Sequence, residues 1–122
     1  MANTLVNKVT THGVTASSTT VSPAWSLAAG NAAIVMLAVS QGTSTVLNPT
    51  VADSLGNAYT LDSWYSNQIT TGNLQVFLFR SPIAHPGGGD VITITFSASC
   101  QFWSTHVAEY NIGGAAMSLV VD

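Results

Sequence analysis

The side chains able to do chemistry in this 122-residue chain are few. They are His12, His85 and His106, Cys100, and the carboxylates Asp53, Asp62, Asp90, Glu109 and Asp122. A zinc site needs His or Cys ligands, and sequence signatures place them at short fixed spacings. The three histidines here are scattered, with no His-x-x-x-His or Cys-His pair. His106 and Glu109 share one extended segment, but their separation is odd, so on a strand they project to opposite faces. That makes them poor partners in a Ser-His-acid triad, and no Gly-x-Ser-x-Gly elbow is present. Glycoside hydrolysis needs two facing carboxylates, and nothing in the spacing of Asp53, Asp62, Asp90 and Glu109 brings two together. The reading is of a non-enzyme without a cofactor.

Two binding chemistries remain open. Asp53, Asn57 and Asp62 could offer oxygens to calcium, but calcium takes six to eight of them. The competing reading of Asp53-Ser54-Leu55-Gly56-Asn57 is a turn, with Asp53 accepting from backbone N–H groups and Gly56 supplying a positive φ. Trp64 and Trp103 are candidate platforms for stacking a sugar, against ordinary aromatic packing. Glu109 sits in an apolar segment beside Val107 and Tyr110, where a carboxylate needs donors; its expected role is to fasten a loop. Cys100 is alone, so no intrachain disulfide forms, and it reads as a small buried hydrophobe.

The elements that must position these residues are strands. Hydrophobic residues are 47% of the chain and charged residues 6%, against about 25% charged in an ordinary soluble domain. Threonine and serine carry the polar load, and threonine suits a pleated surface. Lys8 and Arg80 are the whole basic complement, too few to neutralise a run of phosphates or dock on an anionic membrane. Nucleic-acid partners and membrane insertion are therefore not expected. Met1 to Thr4 shows no basic stretch followed by an apolar one, so no signal peptide is read there.

Short extended segments alternate with turns: Thr4–Thr10, Ser18–Ser22, Ala32–Ser40, Val46–Ala52, Ala58–Tyr65, Leu74–Arg80, Val91–Ser97, Phe102–Asn111 and Met117–Val121. His85-Pro86-Gly87-Gly88-Gly89 reads as the most flexible loop. Eight or nine short strands predict an all-β, antiparallel, jelly-roll-like sandwich, with residues 1–23 as an extended arm or first strands and 24–122 as the sandwich domain. In Val91–Ser97 the alternation is clean, Ile92, Ile94 and Phe96 against Thr93, Thr95 and Ser97. In Ala32–Val39 and Leu74–Phe79 both faces are apolar. Antiparallel sheets usually keep one wet face, so these two strands are expected to be covered twice, by a loop, by the arm or by another copy.

Four segments in order carry a resemblance. They are Leu27-Ala28-Ala29-Gly30-Asn31, then Val51 to Thr60 with its Asp-x-x-Gly-Asn-x-Tyr-Thr pattern. Val76-Phe77-Leu78-Phe79 follows, with Gly87 to Phe96, and last Val107-Ala108-Glu109-Tyr110. Over residues 25–114 the chain resembles a β-sandwich module found in phage structural proteins and in repeat-containing bacterial surface proteins. The glycine expected after Glu-Tyr is displaced to Gly113. The resemblance implies a fold and a structural or adhesive role, and no catalytic residues.

The functional expectation joins these strands of argument. A chain with so few charges lacks the lysines and inward charges that protect sheet edges, so its surface is expected to be covered by neighbours. The leading expectation is a structural module of a larger assembly: a virion surface protein (capsid decoration, tail or fibre) or an extracellular filament subunit. Its partners would be further copies or other subunits of the particle. Ile34, Met36, Phe77 and Phe79, with Leu5 and Val6 of the arm, are the expected contact residues. The alternative is a carbohydrate-binding or adhesion module using Trp64 and Trp103.

Overall fold

The computed structural model describes residues 3–13, 16–41, 46–69 and 72–113. Ten strands fill them: β1 (Thr4–Gly13), β2 (Ser17–Val21), β3 (Trp25–Leu27), β4 (Asn31–Gln41), β5 (Thr50–Asp53), β6 (Thr60–Ile69), β7 (Gly72–Pro82), β8 (Gly87–Asp90), β9 (Ile92–Cys100) and β10 (Phe102–Asn111). The protein is all-β, and every strand pairing is antiparallel.

The pairing is nested. β1 pairs with β10, β2 with β9, β3 with β8 and β4 with β7. At the tip, Ala52 of β5 bridges to Ala58 just before β6. The chain is thus one long hairpin whose two arms, β1–β5 and β6–β10, run together from the Ser54–Gly56 turn. Rolled up, that ribbon makes a five-stranded sheet, β1-β10-β4-β7-β6, a three-stranded sheet, β2-β9-β5, and the short β3-β8 pair. This is the jelly-roll-like sandwich expected from the turns and alternation.

Local chemistry makes the tip. Asp53 Oδ1 accepts from the Leu55 N–H at 3.1 Å and the Asn57 N–H at 2.8 Å. Gly56 then reverses the chain at φ 84°, a conformation that strains any residue with a Cβ. The core lies between the sheets. Val35 and Leu37 of β4, Phe77 and Phe79 of β7 and Val107 of β10 pack with Ile92, Ile94 and Phe96 of β9, and Trp25 and Leu27 join from β3. The alternation read in β9 places Ile92, Ile94 and Phe96 inside, as expected.

Several details differ from the sequence reading. The described residues hold ten strands rather than eight or nine, because β3 and β8 add to those the turns and alternation predict. Gly87 to Gly89, read as a loop, belongs to β8 and pairs with β3. Glycines give no side-chain signal, and the pair is held by Trp25 Nε1 donating to Asp90 at 3.2 Å. The segment read as Val46–Ala52 forms a strand only from Thr50. Residues 1–23 supply β1 and β2, each paired within the chain. The expected strand Met117–Val121 lies outside the described residues.

Candidate functional site

The carboxylates come first, and the fold puts three of the described four into hydrogen-bonded anchors. Glu109, buried on β10, accepts from the Ala28 N–H at 2.9 Å and from Asn31 Nδ2 at 2.7 Å. It fastens the β3–β4 turn to the sheet. Asp90, fully buried, accepts from Trp25 Nε1, from the Ser54 N–H at 3.1 Å and from Ser54 Oγ at 2.8 Å. Asp53 takes the two turn N–H groups, Asn57 Nδ2 at 2.8 Å and the Tyr59 hydroxyl at 3.2 Å. Asn57 extends the network by accepting from the Ala84 and His85 N–H groups. Burial pushes the Tyr59 phenol far above its ordinary range, and the nearby charges of Asp53 and Asp90 push the same way.

These contacts decide how the calcium candidate is arranged. Asp53 and Asn57 are joined in the turn, but Asp62 is not among their partners. It forms an ion pair with Arg80 Nε at 2.6 Å instead. Among the described residues no three His, Cys, Asp or Glu side chains come together as metal ligands. His106 lies on the opposite face of β10 from Glu109 and meets Thr10 Oγ1 through Nδ1 at 2.9 Å. Burial also raises the Cys100 thiol.

The five-stranded sheet has an inner face turned to the core and an outer face turned away from it. Cross-strand register lays the outer face out in rows. Thr10, His106, Met36, Leu78 and Ser63 form the middle row. On one side lie His12, Ser104, Ala38, Val76 and Tyr65, then Phe102, Ser40, Leu74 and Asn67. On the other side lie Lys8, Ala108, Ile34, Arg80 and Thr60. The centre of this lattice is apolar and its long margins are mostly polar, with Lys8, Thr10 and His12 on β1 and Thr60, Ser63 and Asn67 on β6, interrupted by Leu5 and Tyr65. Among the described residues nothing covers the centre. Met36 is 48% exposed, and Leu74, Val76 and Phe102 are exposed around it. Two shallow hollows of about 280 and 250 Å³ open here, one beside Leu74 and Phe102, the other beside Met36, Val76 and Tyr65.

The expected contact residues divide accordingly. Ile34 and Met36 lie on the outer face, and Leu5 and Val6 are exposed near its β1 end. Phe77 and Phe79 are a correction: they are 2% and 4% exposed and lie in the core. Register is the reason, since Phe77 stands opposite Leu37 and Phe79 opposite Val35 on the inner face of β4. The other stripe of β7, Leu74, Val76 and Leu78, forms the surface. Its candidacy was open to sequence reasoning, because the bulkier phenylalanines gain more from burial than Leu or Val.

The aromatic candidates also divide. Trp64 is 52% exposed at the β6 edge and stacks on Phe77, with ring centroids 6.2 Å apart and planes 13° from parallel. Tyr65, its neighbour on the outer face, is 64% exposed. Trp103 is instead half-buried against the core. Its indole lies where a Cβ at Gly13 would stand, so Gly13 is the groove that seats it.

Compared with known proteins, the chain matches no family model, no curated protein and no solved structure. No helix among the described residues is long and apolar enough to cross a membrane.

Proposed function

We propose that this protein is a non-enzymatic structural module of a larger assembly, and that the outer face of the five-stranded sheet is its contact surface. The particle is a virion, with the chain as a capsid decoration, tail or fibre component, or else an extracellular filament. The observation that carries the reading is the uncovered apolar centre around Met36, Val76 and Leu74, in a chain with two basic residues. Contiguous apolar surface bordered by polar residues is characteristic of interaction sites. The engagement of Asp53, Asp90 and Glu109 in anchoring turns favours a building role over catalysis, since each carboxylate is occupied by the chain's own donors. The resemblance over residues 25–114 supports the same role.

Electron microscopy and mass analysis of the native source test it. The expected result is the chain at fixed stoichiometry in a particle or filament. Recovery only as free chain contradicts the reading.

A second reading rests on Trp64. Its stacking on Phe77 fixes the indole plane while about half of the residue stays in solvent, a geometry suited to a sugar ring. Binding on a glycan array that is lost in Trp64→Ala would favour an adhesion module.

A further inference from the structure

We infer that the partner on the outer face is a second copy of this chain, packed sheet to sheet as an isologous pair. The inference rests on the assembly reading above and makes its occupant specific.

Size is the first support. The five strands are 10 or 11 residues long. At about 3.3 Å per residue and about 4.8 Å between strands, they present a face of roughly 33 by 24 Å, about 800 Å². A stable protein–protein interface takes about 800 Å² from each partner. One face of this sheet is thus the right size for one sheet of another copy, which would settle about 10 Å away with its strands nearly aligned.

The second support is how polarity is distributed. Interfaces have an apolar core and a polar, solvent-accessible rim. The outer face broadly follows this plan: Ile34, Met36, Val76 and Leu78 hold the middle of β4 and β7, and the edge strands are mostly polar, with Leu5 on β1 and Tyr65 on β6 the apolar or aromatic interruptions. Among the described residues its ionic groups are Lys8 on β1 and the Arg80–Asp62 pair towards β6. A strongly charged partner finds little to recognise here, whereas an identical face sets single lysines against an Arg80–Asp62 pair of no net charge.

Charge also selects an orientation. A twofold axis running along the strands lays β1 of each copy over β6 of the other. Lys8 shares its crosswise row with Arg80 and Thr60, so this axis carries each lysine to the other copy's Asp62 margin. Asp62 Oδ2 is buried and has no hydrogen-bond partner among the described residues, so the lysine meets this carboxylate as a nearby charge rather than as a direct contact. The same axis holds the two Lys8 ammoniums at opposite edges, farther apart than the ~8 Å screening length of physiological salt. Met36 occupies the middle row of the middle strand, on the axis itself.

Light scattering on the full chain tests the pair. The native protein should show twice the 12.6 kDa of one chain, and Met36→Arg should return it to that mass with its circular dichroism unchanged. Val21→Arg places the same charge at an equally exposed site on β2 (Val21 and Met36 are 49% and 48% exposed), and the dimer should persist. Met36→Cys should couple to its twin through a short bismaleimide, whereas a pair joined at sheet edges would hold these residues far apart. Lys8→Glu should weaken association by roughly two- to fivefold, the range of an exposed ion pair; no change overturns this orientation. A native mass of one chain overturns the sheet-to-sheet pair, and so does a dimer that survives Met36→Arg. The assembly reading is decided separately, by incorporation into the native particle.

Discussion

The two faces of β4 are nearly the same in chemistry and opposite in circumstance. Ala33, Val35, Leu37 and Val39 look inward and are covered by β9 and its neighbours; Ile34, Met36 and Ala38 look outward, Met36 exposed and the other two half-buried, with no second sheet over them among the described residues. Composition alone does not distinguish them. What separates them is the roll of the ribbon, which brings a second sheet over one face only. The same contrast runs across β7, where Phe77 and Phe79 are inside and Leu74 and Val76 outside. An apolar stripe that contributes to folding and one that contributes to association can thus sit on a single strand, one residue apart.

Substitutions on the two faces should differ in what they cost. Leu37→Ala, at a site with 0% exposure, leaves a cavity in the core and should cost about 2–5 kcal/mol in denaturant unfolding. If it costs no more than Met36→Ala measured on dissociated chain, the division into folding and contact faces is wrong. Next in size, Glu109→Ala strands the Ala28 N–H and the Asn31 amide, and should cost about 1–3 kcal/mol by the same measurement.

A smaller and pH-dependent effect belongs to Tyr59. Its phenol proton is held in the folded state well beyond pH 10.0, where the unfolded chain releases it. Its contribution to stability is therefore present below pH 10 and falls as pH rises above it. Tyr59→Phe should remove up to one proton's worth of that alkaline slope, read from unfolding curves at successive pH values. Smallest of all, Met36→Ser should change the unfolding free energy of dissociated chain by about 0.5 kcal/mol or less, since the side chain is half in solvent before any partner arrives.

How far the sequence alone discloses this arrangement depends on whether a residue's fate is local. The β9 alternation and the Asp53–Asn57 turn are local: side-chain parity and one carboxylate beside two backbone N–H groups suffice. Glu109 was readable as a loop fastener because a carboxylate among apolar neighbours must find donors. The identity of those donors was not, since Ala28 and Asn31 lie some eighty positions away. β3 and β8 escaped notice because a three-residue strand and a run of glycines have no period to read. The choice between the two stripes of β7 is a matter of register with β4, a long-range quantity. The seat of Trp103 on Gly13, in a different strand, is likewise long-range.

The central claim, that the outer face of the five-stranded sheet is covered in use, is most directly tested by hydroxyl-radical footprinting read at Met36. In the assembled protein at working concentration Met36 should oxidise slowly, and dilution to the separated chain should restore the rate its half-exposed position implies. Equal oxidation at both concentrations would mean that the face stays wet and the account fails.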